Sequence, residues 1–190
     1  TLDILKSTSI LEFHAGRNLQ LGRVQVQTQD GDMYTVTPTI HHDRERAMVK
    51  LPKKLGENER VYLSTGFRAA IDRSLRGFYY STWAHEGQMG RYALTQFEPT
   101  SARRAYPGWD EPAYKANFTF RMLHRVNTTA LANMPSAYER SVDKEQVHQL
   151  LQTRSSGLSL HQYNLDEWLL TEFETTPKMA TYLVAWAMSL

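Results

Sequence analysis

Seven histidines are the first place to look for bond-breaking chemistry in this chain, and their spacing does not supply it. A hydrolytic zinc helix needs two His four residues apart, with a Glu beside the first, so that both imidazoles reach one metal. His85 and Glu86 begin such a run, but Gly87, Gln88 and Met89 come next and the second ligand is missing. His41 and His42 are adjacent, and neighbours on a strand point to opposite faces, so they cannot share an ion. The chain has no Cys, which removes every Cys-based zinc, haem or iron–sulfur site. Ser nucleophile elbows, phosphate-cradling Gly loops and nucleotide fingerprints are absent as well. No catalytic residue and no metal ligand is therefore assigned. The segment that stands out is residues 95–113, TQFEPTSARRAYPGWDEPA, dense in Arg, acids, Pro and aromatics. On a strand ending at Pro99, Gln96 and Glu98 share one face while Thr95 and Phe97 share the other. Phe97 can then anchor in a core while the amide and the carboxylate project together on a presenting edge.

Such an edge must be held by rigid elements, and the sequence reads as strands. Short alternating runs separated by turn residues cover 19–27, 33–37, 47–51, 60–69, 78–83, 115–123 and 180–187. The clearest is 115–123, with Ala116, Phe118, Phe120 and Met122 on one face and Lys115, Asn117, Thr119 and Arg121 on the other. Gln29-Asp30-Gly31-Asp32 is a hairpin turn by composition. Roughly eight to eleven short strands without βαβ alternation predict an all-β fold with little helix. The expected form is an antiparallel β-sandwich or a saddle-like pair of sheets with irregular loops, in a single domain over 1–190. Two stretches interrupt the pattern and are expected as loops, 98–113 and 136–159, the second with a short helical turn near 144–151. In the first, Arg103, Arg104, Asp110 and Glu111 are expected to form ion pairs and hydrogen bonds that hold the loop. Pro107 and Pro112 fix its backbone. Tyr106 and Trp109 read as core or interface aromatics.

The composition excludes several function classes. Of 190 residues, 41% are hydrophobic and 22% charged, enough apolar material for a core without staples. Twenty-two Lys and Arg against 20 Asp and Glu, evenly interleaved, name neither nucleic acid nor a membrane surface as partner. The run His41-His42-Asp43-Arg44-Glu45-Arg46 alternates in sign and reads as a solvated loop or strand edge. There is no signal-peptide pattern and no membrane-length apolar run. A start at Thr1 without Met suggests an excised piece.

Residues 95–113 resemble the T-Q-F-E-P-x-x-A-R-x-x-F-P-x-x-D-E-P signature in the N-terminal domain of zinc aminopeptidases of the aminopeptidase N and puromycin-sensitive type. Residues 127–135, NTTALANMP, are similar to that family's N-x-x-A-L-S-N-M-P. Residues 173–183, FETTPKMATYL, are similar to its F-x-x-T-P-x-M-S-T-Y-L. Gly108 and Trp109 stand where the family commonly has Cys and Phe, and Ala180 where it commonly has Ser.

The resemblance implies a domain fragment, inactive alone, whose catalytic domain comes after it and carries G-x-M-E-N, then H-E-x-x-H and a distant Glu. Zinc would belong to the complete enzyme, with no cofactor in this fragment. By the same resemblance Glu98 anchors the α-ammonium of a peptide substrate's N-terminus and Gln96 positions the substrate, neither breaking a bond. A free α-ammonium is matched by a carboxylate in a poorly solvated pocket, and a fixed N-terminus brings only the first peptide bond to the metal. The expected partners are that N-terminus and the missing catalytic domain. Asn117 and Asn127 each open an N-glycosylation sequon, which leans toward a cell-surface or extracellular location, although the family also has cytosolic members. The alternative is a non-catalytic binding or receptor module, a pseudoenzyme homologue. An H-E-x-x-H downstream of Leu190 in the parent protein would mark a peptidase, and its loss a binding module.

Overall fold

A computed structural model describes residues 1–152 and 168–189. In chain order its strands are β1 (Leu2–Asp3), β2 (Thr8–His14), β3 (Leu19–Thr28), β4 (Met33–Val36), β5 (Thr39–His41), β6 (Arg46–Leu55), β7 (Arg60–Ala69), β8 (Gly77–His85), β9 (Gln88–Gln96), β10 (Lys115–Ala116), β11 (Arg121–Arg125), β12 (Ala130–Ala132), β13 (Ser136–Val142), β14 (Trp168–Phe173), β15 (Met179–Ala180) and β16 (Trp186–Ser189). Among the described residues one α-helix, α1, spans Lys144–Gln152. Every strand pairing is antiparallel, and the fold is all-β and sandwich-like, as the alternation predicts.

The sheet β1-β7-β3-β4 and the sheet β2-β6-β5 share one core. Val24, Val26 and Val61 from the first meet Phe13, Ala47 and Val49 from the second, all 0–1% exposed. Burying a valine or phenylalanine side chain contributes about 1.5–3 kcal/mol. The predicted turn after β3 is present: Thr28 N–H donates to Asp32 O at 2.9 Å and Gly31 takes φ 94°, a region open to glycine. The sheet β12-β16-β9-β8 carries the candidate site, and a second core of Phe97, Ala102, Ala105 and Val184 packs with Trp186, Tyr106, Phe78 and Phe118. A fourth sheet, β11-β14-β13, buries Leu170 and Val142 against Val147 of α1. That helix starts at the expected place because Asp143 Oδ1 accepts from Gln146 N–H at 2.8 Å and Gln146 Oε1 from Asp143 N–H at 3.4 Å, a capping box.

Several sequence expectations are corrected. The run 115–123 is not one strand: β10 pairs with β15 and β11 with β14. Between them the backbone bonds partly to side chains, Phe118 N–H donating to Thr176 Oγ1 at 3.0 Å and Asn117 Nδ2 to Thr176 O at 2.8 Å. Phe118 and Phe120 still face inward in part, but Ala116 is exposed. The run 180–187 is broken by a 3₁₀ turn at Thr181–Leu183. Residues 136–142, read as loop, form β13, a sheet-edge strand whose side chains are exposed until Val142 and so lack an apolar signal. Residues 153–159 of that stretch lie outside the described residues. β1, β2, β5, β12 and β14 have no counterpart among the predicted runs, and the strand number exceeds the expected eight to eleven because many are only two to four residues long.

Candidate functional site

β9 lies between β8 and β16, with Leu94 paired to Tyr79 on one side and to Ala187 on the other. Alternation turns Ala93, Thr95 and Phe97 inward and Tyr92, Leu94 and Gln96 outward. Ala93 is 0% and Phe97 2% exposed, while Gln96 and Glu98 are exposed, as the spacing predicts. Thr95 Oγ1 accepts from Trp186 N–H at 3.1 Å. The Phe97 ring packs edge-on against Trp186 (5.3 Å) and Tyr106 (5.8 Å). Glu98 therefore stands two residues beyond the end of β9, after a Phe97 that is locked in the core, at a corner that contains a cis Glu98–Pro99 bond and the 3₁₀ turn Ala102–Arg104. Ser101 N–H donates back to Phe97 O at 2.7 Å, closing that corner.

The loop after Glu98 is fastened at three places. Asp110, 2% exposed, accepts from Arg103 N–H at 3.1 Å and Arg103 Nε at 3.0 Å, and its carbonyl accepts from Arg103 Nη2 at 3.0 Å. Its other carboxylate oxygen accepts from Thr181 Oγ1 at 3.3 Å. The end of β2 grips the loop next: His14 and Gly108 exchange both backbone bonds, at 2.8 and 3.0 Å, and Gly16 N–H donates to Arg103 O at 2.7 Å. Asn18 Nδ2 adds a bond to Arg104 O at 2.7 Å. Trp109 reaches the other core, its ring 5.9 Å from Phe13. A side chain at Gly108 would meet only the Tyr106 ring, at 3.6 Å, so the fold accommodates either a glycine or a small residue there.

His14 is a second holding point that the sequence did not announce. It is 2% exposed, and its Nδ1 accepts from Asp110 N–H at 3.2 Å, so the neutral ring carries its proton on Nε2, 3.6 Å from Glu111 Oε1. Burial first, then the charges of Arg103 and Arg46, push the His14 pKa below the ordinary imidazole value, with Glu111 and Asp110 opposing. Arg46 reaches Glu111 and Glu12, both at 3.5 Å. Burial, with Asp110 adding to it, raises the Tyr106 phenol above its ordinary range.

The acids of the segment thus divide. Asp110 is paired with Arg103 and Glu111 with Arg46, whereas Glu98 has no hydrogen-bond or ion-pair partner among the described residues. The four groups read as loop-holding ions do hold the loop, Arg104 through a 3.9 Å approach to Asp72. Glu98 is left as a carboxylate on a fixed backbone, beside Gln96. On the same face lie Leu94, Tyr92 and, across the hairpin, Tyr79 and Trp83. The Trp83 indole covers Gly90, where a Cβ would come within 2.5 Å of it. This aromatic strip was not read from the sequence, since only the pairing of β8 with β9 brings it together.

Among the described residues no group of three or more His, Asp or Glu is placed to hold a metal ion. No metal step is assigned to them. His124, 1% exposed, is engaged on both ring nitrogens, with Thr171 Oγ1 at 2.8 Å and Thr128 Oγ1 at 2.9 Å. Asn117 and Asn127 are both exposed. The Asn117 amide is spent on Thr176 O, while Asn127 lies in the turn after β11 with no described partner for its amide.

Residues 1–183 match the family described as the peptidase M1 N-terminal domain. The chain is 30% identical over 189 residues to endoplasmic reticulum aminopeptidase 2 of Homo sapiens, covering 96% of this chain and 17% of that protein. It is 33% identical over 186 residues to the human thyrotropin-releasing hormone-degrading ectoenzyme, covering 96% and 15%. With human glutamyl aminopeptidase the identity is 32% over 168 residues, covering 86% and 15%. The chain therefore spans about a sixth of the length of these relatives. A match across nearly all of its residues, together with the all-β fold, shows that the chain belongs to the N-terminal domain family of the M1 aminopeptidases.

Proposed function

We propose that this chain is the substrate-recognition domain of a larger zinc aminopeptidase and that its Glu98 carboxylate holds the α-ammonium of a peptide's first residue, with Gln96 beside it positioning the substrate. The observation that carries this reading is the isolation of Glu98: every other acid of residues 98–113 is paired within the fold, while Glu98 follows the buried Phe97, is exposed and has no partner among the described residues. Gln96, on the same face, can donate to a substrate carbonyl or accept from its amide. Neither group breaks a bond, and the fragment alone is inactive on this reading. The metal, which in such an enzyme activates water and polarises the scissile carbonyl, is held by residues outside this chain. The domain's own contribution is register: with the N-terminus fixed, the first peptide bond is the one presented.

The test is Glu98→Gln and Glu98→Ala in the full-length protein, assayed on an aminoacyl amide. Truncating one partner of a desolvated ion pair costs about 2–5 kcal/mol, so kcat/KM falls by tens to thousands of fold while the melting temperature stays unchanged, Glu98 being exposed in the fold. Wild-type turnover in Glu98→Ala removes the role. A full-length wild-type protein with neither zinc nor hydrolysis would turn the assignment into a non-catalytic binding module.

The relatives named an ectoenzyme and an endoplasmic reticulum enzyme support a secretory or cell-surface location for the parent protein. On that reading Asn127 is the better glycan acceptor, because its amide lies in an exposed turn and has no partner among the described residues. In a secretory host, an endoglycosidase-sensitive mass shift that disappears with Asn127→Gln is expected. A shift that survives Asn127→Gln and disappears with Asn117→Gln would reverse the assignment.

A further inference from the structure

His124 on β11 takes no part in the recognition assigned to Glu98, yet its surroundings constrain its proton count. The ring is 1% exposed, and each nitrogen meets a hydroxyl: Nδ1 lies 2.9 Å from Thr128 Oγ1 and 3.1 Å from Arg125 O, and Nε2 lies 2.8 Å from Thr171 Oγ1. A hydroxyl has one proton to give, and both of these are given elsewhere. Thr128 donates to Arg125 O at 2.7 Å, and Thr171 donates to the Glu139 carboxylate at 2.5 Å, the length of a charge-assisted O–H···O⁻ bond. The two hydroxyls therefore offer the ring only lone pairs, and the Arg125 carbonyl can only accept. A neutral imidazole has one N–H and one lone pair, so whichever nitrogen lacked a proton would face an oxygen lone pair at hydrogen-bond distance. Turning Thr128 toward Nδ1 does not repair this, because its oxygen and that of Arg125 would then stand 2.7 Å apart with no proton between them. A buried cation needs an anion, and Glu139 Oε2 lies 3.6 Å from Nε2, the one carboxylate within ion-pair reach of the ring among the described residues. In the register of this sheet His124 and Met122 share a face with Leu169 and Thr171 of β14 and with Glu139 and Ser141 of β13. The other charged groups of the three strands alternate to the opposite face, which packs on α1: Arg121 bonds to Glu172, Arg140 to Gln146, and Arg125 lies over the Trp168 ring.

We propose that His124 is an imidazolium whose second proton clasps the edge strand β13 to its sheet through Thr171 and Glu139, a proton-dependent contact built into the fold. The proton sits on the ring rather than on the carboxylate, because the ordinary imidazole value lies about two units above the ordinary Glu value and the Glu139 side chain is 48% exposed. β13 has β14 as its single sheet neighbour and leads into α1. With the proton in place, ring, hydroxyl and carboxylate form one donor-to-acceptor chain from β11 through β14 to β13. Once it leaves, Thr171 can donate to Glu139 or to Nε2 but not to both, and one link opens. The folded chain thus holds a proton that the unfolded chain releases above about pH 6.5. The contact contributes in full below that pH and is lost as pH rises and the native ring gives the proton up. This is opposite in sign to the effect of His14 and falls in a separate pH window.

The test uses the 190-residue chain with nitrogen-labelled imidazoles, read by NMR, and the variant Glu139→Gln. Glutamine keeps the shape of the side chain, and its amide can donate to Thr171 Oγ1. The Thr171 hydroxyl is then free to donate to Nε2, so the variant satisfies a neutral ring and should fold. In the wild type at about pH 7.5, a unit above the ordinary imidazole value, one histidine should show both ring nitrogens protonated. In Glu139→Gln that signal should convert to a ring with its proton on Nδ1 alone. Urea midpoints supply the second readout: between about pH 7 and 8.5 the wild type should lose stability relative to the variant, by the linked release of up to one proton. If the variant does not fold, the presence or absence of a doubly protonated ring in the wild-type spectrum decides. A wild type with no such ring, a ring that Glu139→Gln leaves unchanged, or equal pH slopes in the two proteins overturns the proposal. Neither readout involves peptidase activity, so the outcome is independent of the role given to Glu98.

Discussion

Replacing Asp110 by Ala should damage the fold more than its place in an irregular loop suggests. The carboxylate is 2% exposed and accepts three hydrogen bonds, two from Arg103 and one from Thr181. Its partner guanidinium is also largely out of water, the Arg103 side chain being 14% exposed. Alanine leaves that cation buried without its anion and the Arg103 N–H without an acceptor. Breaking one side of a buried ion pair costs about 3–5 kcal/mol, and the loss of the neutral N–H acceptor overlaps with that figure rather than adding to it. The bond from Arg103 Nη2 to the Asp110 carbonyl survives and holds the result to the lower half of the range. At about 2–4 °C per kcal/mol for a chain of this size, the melting temperature should fall by about 6–16 °C. Urea unfolding of the 190-residue chain, monitored by tryptophan emission, should show a lower midpoint at an unchanged slope. Asp110→Asn keeps an acceptor oxygen and should lose less. The double variant Arg103→Leu with Asp110→Leu removes both charges, and should cost less than the sum of the single changes. A loss below about 1 kcal/mol for Asp110→Ala, or strict additivity in the double variant, would refute the view that this pair holds the loop.

Gly16→Ala should destabilise by about 1–3 kcal/mol, because a Cβ there meets backbone, Arg103 O at 2.8 Å and Arg104 Cα at 3.0 Å; an unchanged urea midpoint would contradict this. Stability should fall as pH drops below about 6.5, the ordinary imidazole value. His14 has a lowered pKa in the fold, so the unfolded chain takes up a proton there before the native state does. Above that pH neither state is protonated at this residue, and the contribution is constant. His14→Asn, which keeps an acceptor for Asp110 N–H, should flatten this dependence between pH 7.5 and 5.5, and an equal slope in both proteins would remove His14 as its source.

How much of this was legible in the sequence depends on the distance over which each device acts. Period-two alternation is local, so β3, β4 and β7 were readable almost to the residue. The same holds for the burial of Phe97 between Gln96 and Glu98. The split of 115–123 was hidden because the apolar alternation continues through it, while what ends the ladder is the Thr176 hydroxyl, 58 residues away. β13 was missed because an exposed edge strand carries no apolar face. In the loop, the density of Arg and acids announced ion pairs but not their assignment. Asp110 takes Arg103 from its own segment, whereas Glu111 takes Arg46 from β6 and His14 sits opposite both from β2. Those partners are joined only by the sandwich, and no spacing in the chain encodes them.

On the proposed role, the exposure of Glu98 separates the behaviour of the 190-residue chain from that of the full-length protein. In the chain alone the carboxylate is exposed, and an exposed ion pair contributes about 0–1 kcal/mol, further reduced by salt. That is too little for measurable capture of a free amino terminus. The 2–5 kcal/mol invoked for recognition requires the pair to be desolvated, which the outward face of β9 cannot do by itself. On the proposed role, the recognition energy of Glu98 would have to be created when another part of the protein covers that face and excludes water. An aminoacyl amide titrated into the 190-residue chain should give no saturable binding. The full-length protein should bind it, and Glu98→Gln should remove most of that affinity. Tight, Glu98-dependent binding by the 190-residue chain would show that the carboxylate is preorganised and desolvated within this fold, and would overturn the account of its exposure.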